Sequence, residues 1–148
     1  MTDLIPTNPG TTANLPLMSH VGVDNVRKLE AAMLAIPQAR IRTDHVFHAG
    51  VYARTIKIPA GVALTGAEIK ILTVLIISGD TLIYGENGTV RYTGYHVCLG
   101  QRGRKQAFYA LQDTYLTMLF PTDATTTDEA ERLFTDEYDM LLSRREVE

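Results

Sequence analysis

This chain of 148 residues has only one cysteine, no long apolar run and no excess of basic residues. Its single cysteine, Cys98, excludes an internal disulfide and a zinc site built from cysteines, which fits a protein made in a reducing cytosol. The longest apolar run covers residues 71–77, whereas a membrane-spanning helix needs roughly 18 apolar residues. The first residues carry no signal-peptide pattern, and a net charge of −3 provides no basic field for nucleic acid. We therefore expect one cytoplasmic domain that binds neither membranes nor nucleic acid.

The motifs of common catalytic sites are also missing. The chain has no Gly-x-Gly-x-x-Gly and no Gly-x-x-x-x-Gly-Lys-Ser/Thr, so it lacks the backbone cradle of the nucleotide-binding loops. It has no Gly-x-Ser-x-Gly either, which removes the sequence support for a serine hydrolase. No nucleophile and base are paired by their spacing. The sequence therefore predicts no catalytic residues and favours a protein that is not an enzyme, without deciding the matter.

The N-terminal part of the chain divides into an arm and a helix. Residues 1–22 contain three prolines and no helical or strand period, which predicts an extended arm. Residues 23–37 predict a helix that Asp24 caps and Pro37 ends. Its apolar residues recur at steps of three and four and are Val26, Leu29, Met33 and Ile36. This stripe is expected to pack on the rest of the chain or on a partner.

The C-terminal residues 122–148 predict a second helix. Thr125 to Thr127 supply caps, and the acidic residues that follow suit the positive end of the helix dipole. The predicted buried face comprises Ala130, Phe134, Tyr138 and Leu141, and the two basic residues expected near the helix end are Arg144 and Arg145.

Between the two helices, residues 38–121 carry the pattern of a β-barrel. Short apolar or alternating runs are separated by glycine turns, which is typical of a sandwich or barrel. The predicted strands are residues 51–58, 62–64, 69–78, 81–84, 89–92, 96–99, 106–111 and 114–120. Residues 43–50 look like a loop, so His45 and His48 are interpreted as one exposed and one hydrogen-bonded histidine.

Several short motifs resemble the cupin, or RmlC-like, family. They are Pro59-Ala60-Gly61, Ser78-Gly79-Asp80, Gly100-Gln101-Arg102-Gly103 and Ala107-Phe108-Tyr109-Ala110. The resemblance covers about residues 51–120 and implies a mainly β fold, the double-stranded β-helix or jelly-roll barrel, flanked here by an arm and two helices. Residues 50–54, 64–66 and 109–114 also look like segments of small cupin-like proteins encoded by phages and prophages.

The metal ligands that this resemblance implies are missing. The family's glutamate position falls on Leu72, and its second-motif histidine position falls on Gln106. The other two histidine positions fall on Gly66 and Glu68, or on Thr65 and Ala67 with the alternative spacing. Because leucine has no lone pair to donate and glutamine replaces imidazole poorly, we expect no metal and no other cofactor. A new site assembled from His45, His48 and His96 stays open as the alternative.

Two groups of residues are candidates for binding. Residues that could line a polar pocket in the barrel are Tyr52, Arg54, Glu68, Gln106 and Tyr109, although the same residues could point outward from their strands. Residues of a glycine-rich turn that could bind an anion or an acidic partner are Arg102, Arg104 and Lys105, with an ordinary solvated turn as the alternative.

Two functions are compatible with these features. The first is a non-catalytic, homo-oligomeric structural or assembly protein, placed by the phage resemblance in a virion and made in the host cytoplasm. In it, the arm and both helices would contact further copies of the chain and other virion or assembly proteins. The second is a cytoplasmic, metal-free cupin that uses its barrel cavity to bind a sugar or nucleotide or to act as an isomerase.

Overall fold

The computed structural model of this protein describes residues 13–15, 18–85 and 88–141. They form a mainly β fold with one helix before the barrel and one after it, so the predicted fold class is confirmed. The strands are β1 (Ala13–Asn14), β2 (Arg42–His48), β3 (Val51–Ile58), β4 (Ala63–Thr65), β5 (Thr73–Gly85), β6 (Gly88–Gly100), β7 (Ala107–Ala110) and β8 (Thr114–Pro121). The helices are α1 (His20–Met33) and α2 (Thr127–Phe134), followed by a 3₁₀ turn (Tyr138–Met140). Neither helix is both long and apolar enough to cross a membrane.

The sheet curls because β5, one of its two longest strands, has two different neighbours on one side. The strands follow the order β1-β6-β5-β8-β3-β2, and β7 joins β5 to β4. The first part of β5 pairs with β8 from Val74 to Ser78, and its second part pairs with β7 from Thr81 to Ile83. Gly79, with a φ of 149°, lies between the two parts. The inward residues of this curled sheet form the core, which includes Leu75, Ile77, Ile83, Phe108 and Leu116.

The strand predictions are right in position but too short in the central hairpin. The bounds of β3 are those predicted, Val51–Ile58. The run 81–84 and the part of the run 69–78 from Thr73 onward belong to one strand, β5, whereas residues 69–72 precede it. The runs 89–92 and 96–99 likewise belong to one strand, β6. The glycines that indicated turns there instead face each other across the ladder, Gly79 opposite Gly94. Glycine permits positive φ within a bent strand as well as in a turn, so the local pattern could not distinguish the two.

The predicted loop at residues 43–50 is wrong, because Arg42–His48 is strand β2. It pairs antiparallel with β3 along its whole length, from Arg42 opposite Lys57 to His48 opposite Val51. The connecting residues Ala49 and Gly50 both have positive φ, 55° and 72°, as the tight hairpins that match strand twist require. Exposed and half-buried residues alternate along β2. Because most of its side chains are polar, this alternation does not show as a pattern of apolar residues in the sequence.

Helix α1 begins earlier than predicted. Its N-cap is Ser19, whose hydroxyl accepts a hydrogen bond from the Gly22 backbone, so Asp24 is not the cap and the arm ends before residue 20. The helix ends at Met33, so Pro37, farther along the chain, is not the residue that ends it. Of the predicted apolar stripe, only Val26 is fully buried, whereas Leu29 is 45% exposed. Elsewhere in the arm, β1 pairs in parallel with β6, and the side chain of Leu15 is buried.

Helix α2 has the predicted start and a shorter course. Thr126 and Glu129 form a capping box. The helix ends at Phe134, whose carbonyl accepts a hydrogen bond from the Lys70 backbone, and Thr135 continues in an extended conformation. Three residues of the predicted buried face, Ala130, Phe134 and Leu141, are buried, although Leu141 lies beyond the helix. The predicted basic end of the helix, Arg144 and Arg145, lies outside the described residues.

Candidate functional site

A cavity of about 120 Å³ lies inside the barrel. Its wall combines apolar residues of several strands, among them Ile56, Leu75, Phe108, Leu116 and Met118. Its polar lining includes Glu30 of α1, Arg54 of β3, and Arg104 and Gln106 from the segment before β7. The residues 64–67 and the C-terminal Met140 and Leu141 complete it. The site is therefore built from the barrel strands, from helix α1 and from the residues that follow helix α2.

Arg104 is the main electrostatic feature of this cavity. Its side chain is buried, with Nη1 donating to Gln106 Oε1 at 3.1 Å and Nη2 donating to Thr73 Oγ1 at 3.3 Å. No carboxylate of the described residues lies within ion-pair distance of it. Burial lowers the pKa of Arg104 to about 10, and at neutral pH the group still carries its charge. A positive charge is thus held inside the barrel without a counter-ion from the described residues.

Two residues that line this cavity carry buried donors that have no acceptor among the described residues. The donors are Nε of Arg104 and Nε2 of Gln106. The hydrogen bond from Arg104 fixes the orientation of the Gln106 amide, because the reverse orientation would place its NH₂ group against a guanidinium donor. Leaving a buried donor unsatisfied costs about 1–3 kcal/mol, so both atoms favour an acceptor from outside the chain.

Local backbone pairing explains how a basic turn brings Arg104 inward. The segment closes on Ile69, whose N–H donates to the Arg104 carbonyl at 2.9 Å, while Gly103 N–H donates to the Ile69 carbonyl at 2.7 Å. Gly103 has a φ of 81°, which glycine adopts without strain. This isolated antiparallel bridge joins the segment before β5 to the segment before β7.

The second arginine of the cavity, Arg54, is neutralised by a carboxylate. Its Nη1 lies 2.9 Å from Oε2 of Glu131, and both side chains are almost fully buried. The guanidinium carbon also lies 5.4 Å from the centre of the Phe134 ring. These contacts attach α2 to β3. Of the two arginines that line the cavity, Arg104 is therefore the one with no carboxylate partner among the described residues.

Lys105 forms an ion cluster beside the cavity. Its fully buried Nζ donates to Glu30 Oε2 at 3.1 Å, to Glu137 Oε1 at 2.8 Å and to the Gly66 carbonyl at 3.0 Å. Burial raises the pKa of Glu137, but the hydrogen bonds from Lys105, the Glu68 backbone and Arg27 outweigh it and leave that pKa below its ordinary value. The cluster joins α1, the segment at residue 66 and the C-terminal turn.

The structure brings together only some of the predicted pocket residues. Arg54 and Gln106 line the cavity. Tyr52, Glu68 and Tyr109 do not, which corrects that part of the prediction. Tyr52 is buried against Phe47 and Phe120 away from the cavity, Glu68 pairs with Arg27 on the surface, and Tyr109 is 42% exposed. Strand alternation allowed either face for each residue, and only the fold selected one.

The predicted anion-binding turn is wrong in its geometry. Arg102 is exposed, but Arg104 and Lys105 are buried, so the three cations do not share a solvated surface. The interpretation assumed that consecutive charged residues in a glycine-rich turn remain in water. Lys105 has carboxylate partners distant in the sequence, which make its burial tolerable. Arg104 is held instead by hydrogen bonds to Gln106 and Thr73.

The histidines of the sequence do not converge. His45 Nδ1 lies 2.7 Å from the Tyr52 hydroxyl and His48 is exposed, so the predicted pair of one hydrogen-bonded and one exposed histidine is confirmed. His96 is buried, with Nε2 lying 2.8 Å from the Thr93 carbonyl. Across residues 13–15, 18–85 and 88–141 no three metal-ligating side chains are grouped.

The cavity itself does not suit the metal that the fold resemblance implies. Its charged lining consists of two guanidinium groups and one carboxylate, and that carboxylate, Glu30, accepts hydrogen bonds from Lys105 and Thr65. Cationic donors repel a divalent ion and have no lone pair for it. Leu72, at the predicted glutamate position, is 50% exposed and lies outside the cavity lining.

Sequence reasoning missed several residues of the site. Thr73 and Met118 contact Arg104, Glu131 neutralises Arg54, and Glu30 approaches from α1. Glu131 carried a usable signal, since it lies three residues before Phe134 on a face predicted to be buried. The others are ordinary residues of a strand or a helix, and nothing local marks them.

Comparison with known proteins yields a likeness in fold. No protein-family model and no curated protein matches the chain. Among solved structures, KdgF from Halomonas sp. is 15% identical with a TM-score of 0.47, over 64% of this chain and 89% of that one. A cupin superfamily protein from Desulfitobacterium hafniense is 11% identical with a TM-score of 0.45, over 62% and 88% of the two chains.

A third similar structure is the cupin domain of Cnp3 from Schizosaccharomyces pombe. It is 17% identical with a TM-score of 0.44, over 68% of this chain and 71% of that one. Two of these three structures are named as cupin proteins, the family that the sequence motifs resemble.

Proposed function

We propose that this protein is a metal-free, small-molecule-binding cupin whose site is the barrel cavity. The observation that carries the proposal is the pair of buried donors without acceptors among the described residues, Arg104 Nε and Gln106 Nε2, on two residues that line a cavity with apolar walls. Such a cavity, apolar with a few precisely placed polar groups, is the usual form of a ligand site.

Binding without catalysis fits the titratable groups of the cavity. Among the described residues that line it, the one carboxylate, Glu30, is engaged by the Lys105 ammonium, and the other charged groups are arginines, which do not exchange protons near neutral pH. No general acid and base therefore face each other there. Catalysis in the barrel would need a group brought by the ligand itself.

The volume of the cavity limits the size of the ligand that can bind. This volume is about 120 Å³. An apolar protein cavity of about 150 Å³ accommodates benzene. A ligand of about that size fits, whereas a nucleotide is much too large. Of the sugar and nucleotide ligands suggested by the fold resemblance, the nucleotide is therefore disfavoured.

A thermal-shift panel tests this proposal. We expect at least one organic acid, amide, amine or alcohol with roughly five to eight non-hydrogen atoms to raise the melting temperature, since a ligand at 100 times its Kd adds about 2.7 kcal/mol. Leu75→Phe, which adds volume inside the cavity, is expected to abolish the shift. Val90→Phe, at an exposed position of β6 outside the cavity lining, is the matched control and should retain it. A panel that leaves the wild-type melting temperature unchanged contradicts the proposal.

A second candidate function, an oligomeric structural protein, has its own observation. The outer face of β6, β5 and β8 is apolar in adjacent rows: Val74 lies between Leu99 and Leu119, and Ile76 lies opposite Val97. Tyr95 and Tyr115 form the next row, on either side of Ser78, and are 65% and 45% exposed. Contiguous exposed apolar residues of this kind mark interaction sites.

We propose a second copy of the chain as the occupant of this outer sheet face, paired by two-fold symmetry. The face lacks charged residues in its first two rows, so like surfaces can meet without burying unpaired charge. Contacts by the arm and the helices, a place in a virion and contacts with other assembly proteins remain predictions from the sequence.

Solution mass tests the second candidate. We expect the wild-type protein to be a dimer at micromolar concentration and Val97→Glu to be a folded monomer, because the new carboxylate would be desolvated in the interface. Val90→Glu is the matched control, since Val90 is on the same strand and equally exposed at 41% but lies outside the face. Light scattering that finds a monomeric wild-type protein, or a dimeric Val97→Glu, contradicts the assignment.

A further inference from the structure

From the charge balance of the cavity we infer that its ligand is a small monocarboxylate with an apolar body. The inference rests on the proposed binding function and names the ligand class. Its carboxylate would be held by Arg104 and Gln106, and its apolar part would lie against Leu75, Phe108 and Leu116.

The charge that the ligand must balance belongs to Arg104. The other buried cations have carboxylates: Arg54 is paired with Glu131, and Lys105 with Glu30 and Glu137. None of these carboxylates lies within ion-pair distance of Arg104. Removing a guanidinium from water without a counter-charge is costly, and an anion in the cavity restores the balance.

The donors of the site suit a carboxylate in particular. Arginine presents its N–H groups in a planar fork that matches two acceptor oxygens. Arg104 and Gln106 both line the cavity, and each has a buried donor, Nε and Nε2, that has no acceptor among the described residues. The two side chains are already joined by a hydrogen bond of 3.1 Å, so their donors are positioned before the ligand arrives. Neutral amides and alcohols would satisfy donors but leave the charge unbalanced.

The apolar wall separates this ligand class from inorganic anions. Sulfate or phosphate would place hydrated oxygens against Leu75, Phe108 and Leu116, which have no donors to offer. An aliphatic acid would instead bury its chain there. The cavity thus has one polar side and one apolar side, as a short or branched aliphatic carboxylate has.

Isothermal titration of the full chain with matched probes tests the inference. The probes are valerate, valeramide, pentylamine and inorganic phosphate at one ionic strength. We expect valerate to bind at least tenfold more tightly than valeramide, and pentylamine and phosphate not to bind. If valeramide equals or exceeds valerate and Leu75→Phe still abolishes its binding, the carboxylate assignment is overturned while the proposed binding function stands. If none of the small organic molecules binds, the binding function fails as well.

Two variants of Arg104 test the same inference by changing the protein instead of the ligand. Arg104→Met preserves the approximate shape without the charge, and we expect it to lose valerate binding by at least tenfold and to retain valeramide binding. Without ligand it should melt no lower than wild type, because a buried charge without a counter-ion has been removed. Arg104→Lys keeps the charge without the fork and should bind valerate more weakly than wild type. An Arg104→Met variant that unfolds or melts much lower makes Arg104 a structural residue and overturns the inference.

Discussion

Glu131→Ala is expected to destabilise the protein by about 3–5 kcal/mol, which is the typical effect of removing one partner of a buried ion pair. Glu131 Oε2 lies 2.9 Å from Arg54 Nη1, and the two side chains are only 2% and 9% exposed. Without the carboxylate, the Arg54 guanidinium would remain charged beneath α2 and against the Phe134 ring. Urea unfolding followed by circular dichroism measures the loss of stability.

The double variant Arg54→Met with Glu131→Met separates two contributions to the free energy of unfolding. One is the net contribution of the ion pair, and the other is the cost of leaving a single buried charge without its partner. We expect it to recover most of the stability that Glu131→Ala loses, because apolar side chains of similar volume can replace a buried pair. Asp128→Ala is the matched control on the same helix, as Asp128 pairs with Arg132 in water and its removal should change stability little. A Glu131→Ala variant as stable as this control would contradict the structural role of the pair.

Gly79→Ala is expected to destabilise the protein by about 3 kcal/mol or more, since it combines backbone strain with steric overlap. The residue has a φ of 149°, and a Cβ atom there would lie 2.7 Å from both the Thr114 Cα and the Asp113 carbonyl oxygen. These are backbone atoms of the chain entering β8, so they cannot move aside as a side chain would. The measurement is again the free energy of unfolding in urea.

Gly94→Ala provides the matched control for this substitution. Gly94 lies directly opposite Gly79 in the β5–β6 ladder and also has a positive φ, 90°, but no atom lies within 4 Å of its added Cβ. It should therefore lose only the cost of backbone strain, about 1–3 kcal/mol. Equal losses in the two variants would show that steric overlap with β8 contributes nothing, contrary to the structure.

Much of the fold could be predicted from local patterns. The bounds of β3 follow from a run of alternating residues, and the start of α2 follows from a capping box. Both signals depend on residues that are close in the sequence, so they can be recognised without knowing the rest of the fold. The start of α1 was harder to predict, because Ser19 and Asp24 are both good N-cap residues and the sequence does not rank them.

The binding site could be predicted only in part. Arg54 and Gln106 were candidates and line the cavity, while Tyr52 and Tyr109, chosen by the same reasoning, do not. A strand gives each residue one of two faces, but which face is interior depends on strands distant in the sequence. Glu131 shows the same limit, since it lies 77 residues after the arginine it neutralises.

The sequence by itself determined that this protein is a mainly β barrel bracketed by helices, because apolar periodicity and glycine turns are local properties of the chain. It also determined the lack of a cysteine zinc site, since Cys98 stands alone. Only the tertiary structure decided that Arg104 and Lys105, neighbours in a basic turn, are buried. Burial of a charge is tolerable only with partners, and those of Lys105 lie 75 and 32 residues away, at Glu30 and Glu137. Arg104 is buried with no carboxylate of the described part of the chain beside it, and this makes the barrel cavity a proposed anion site.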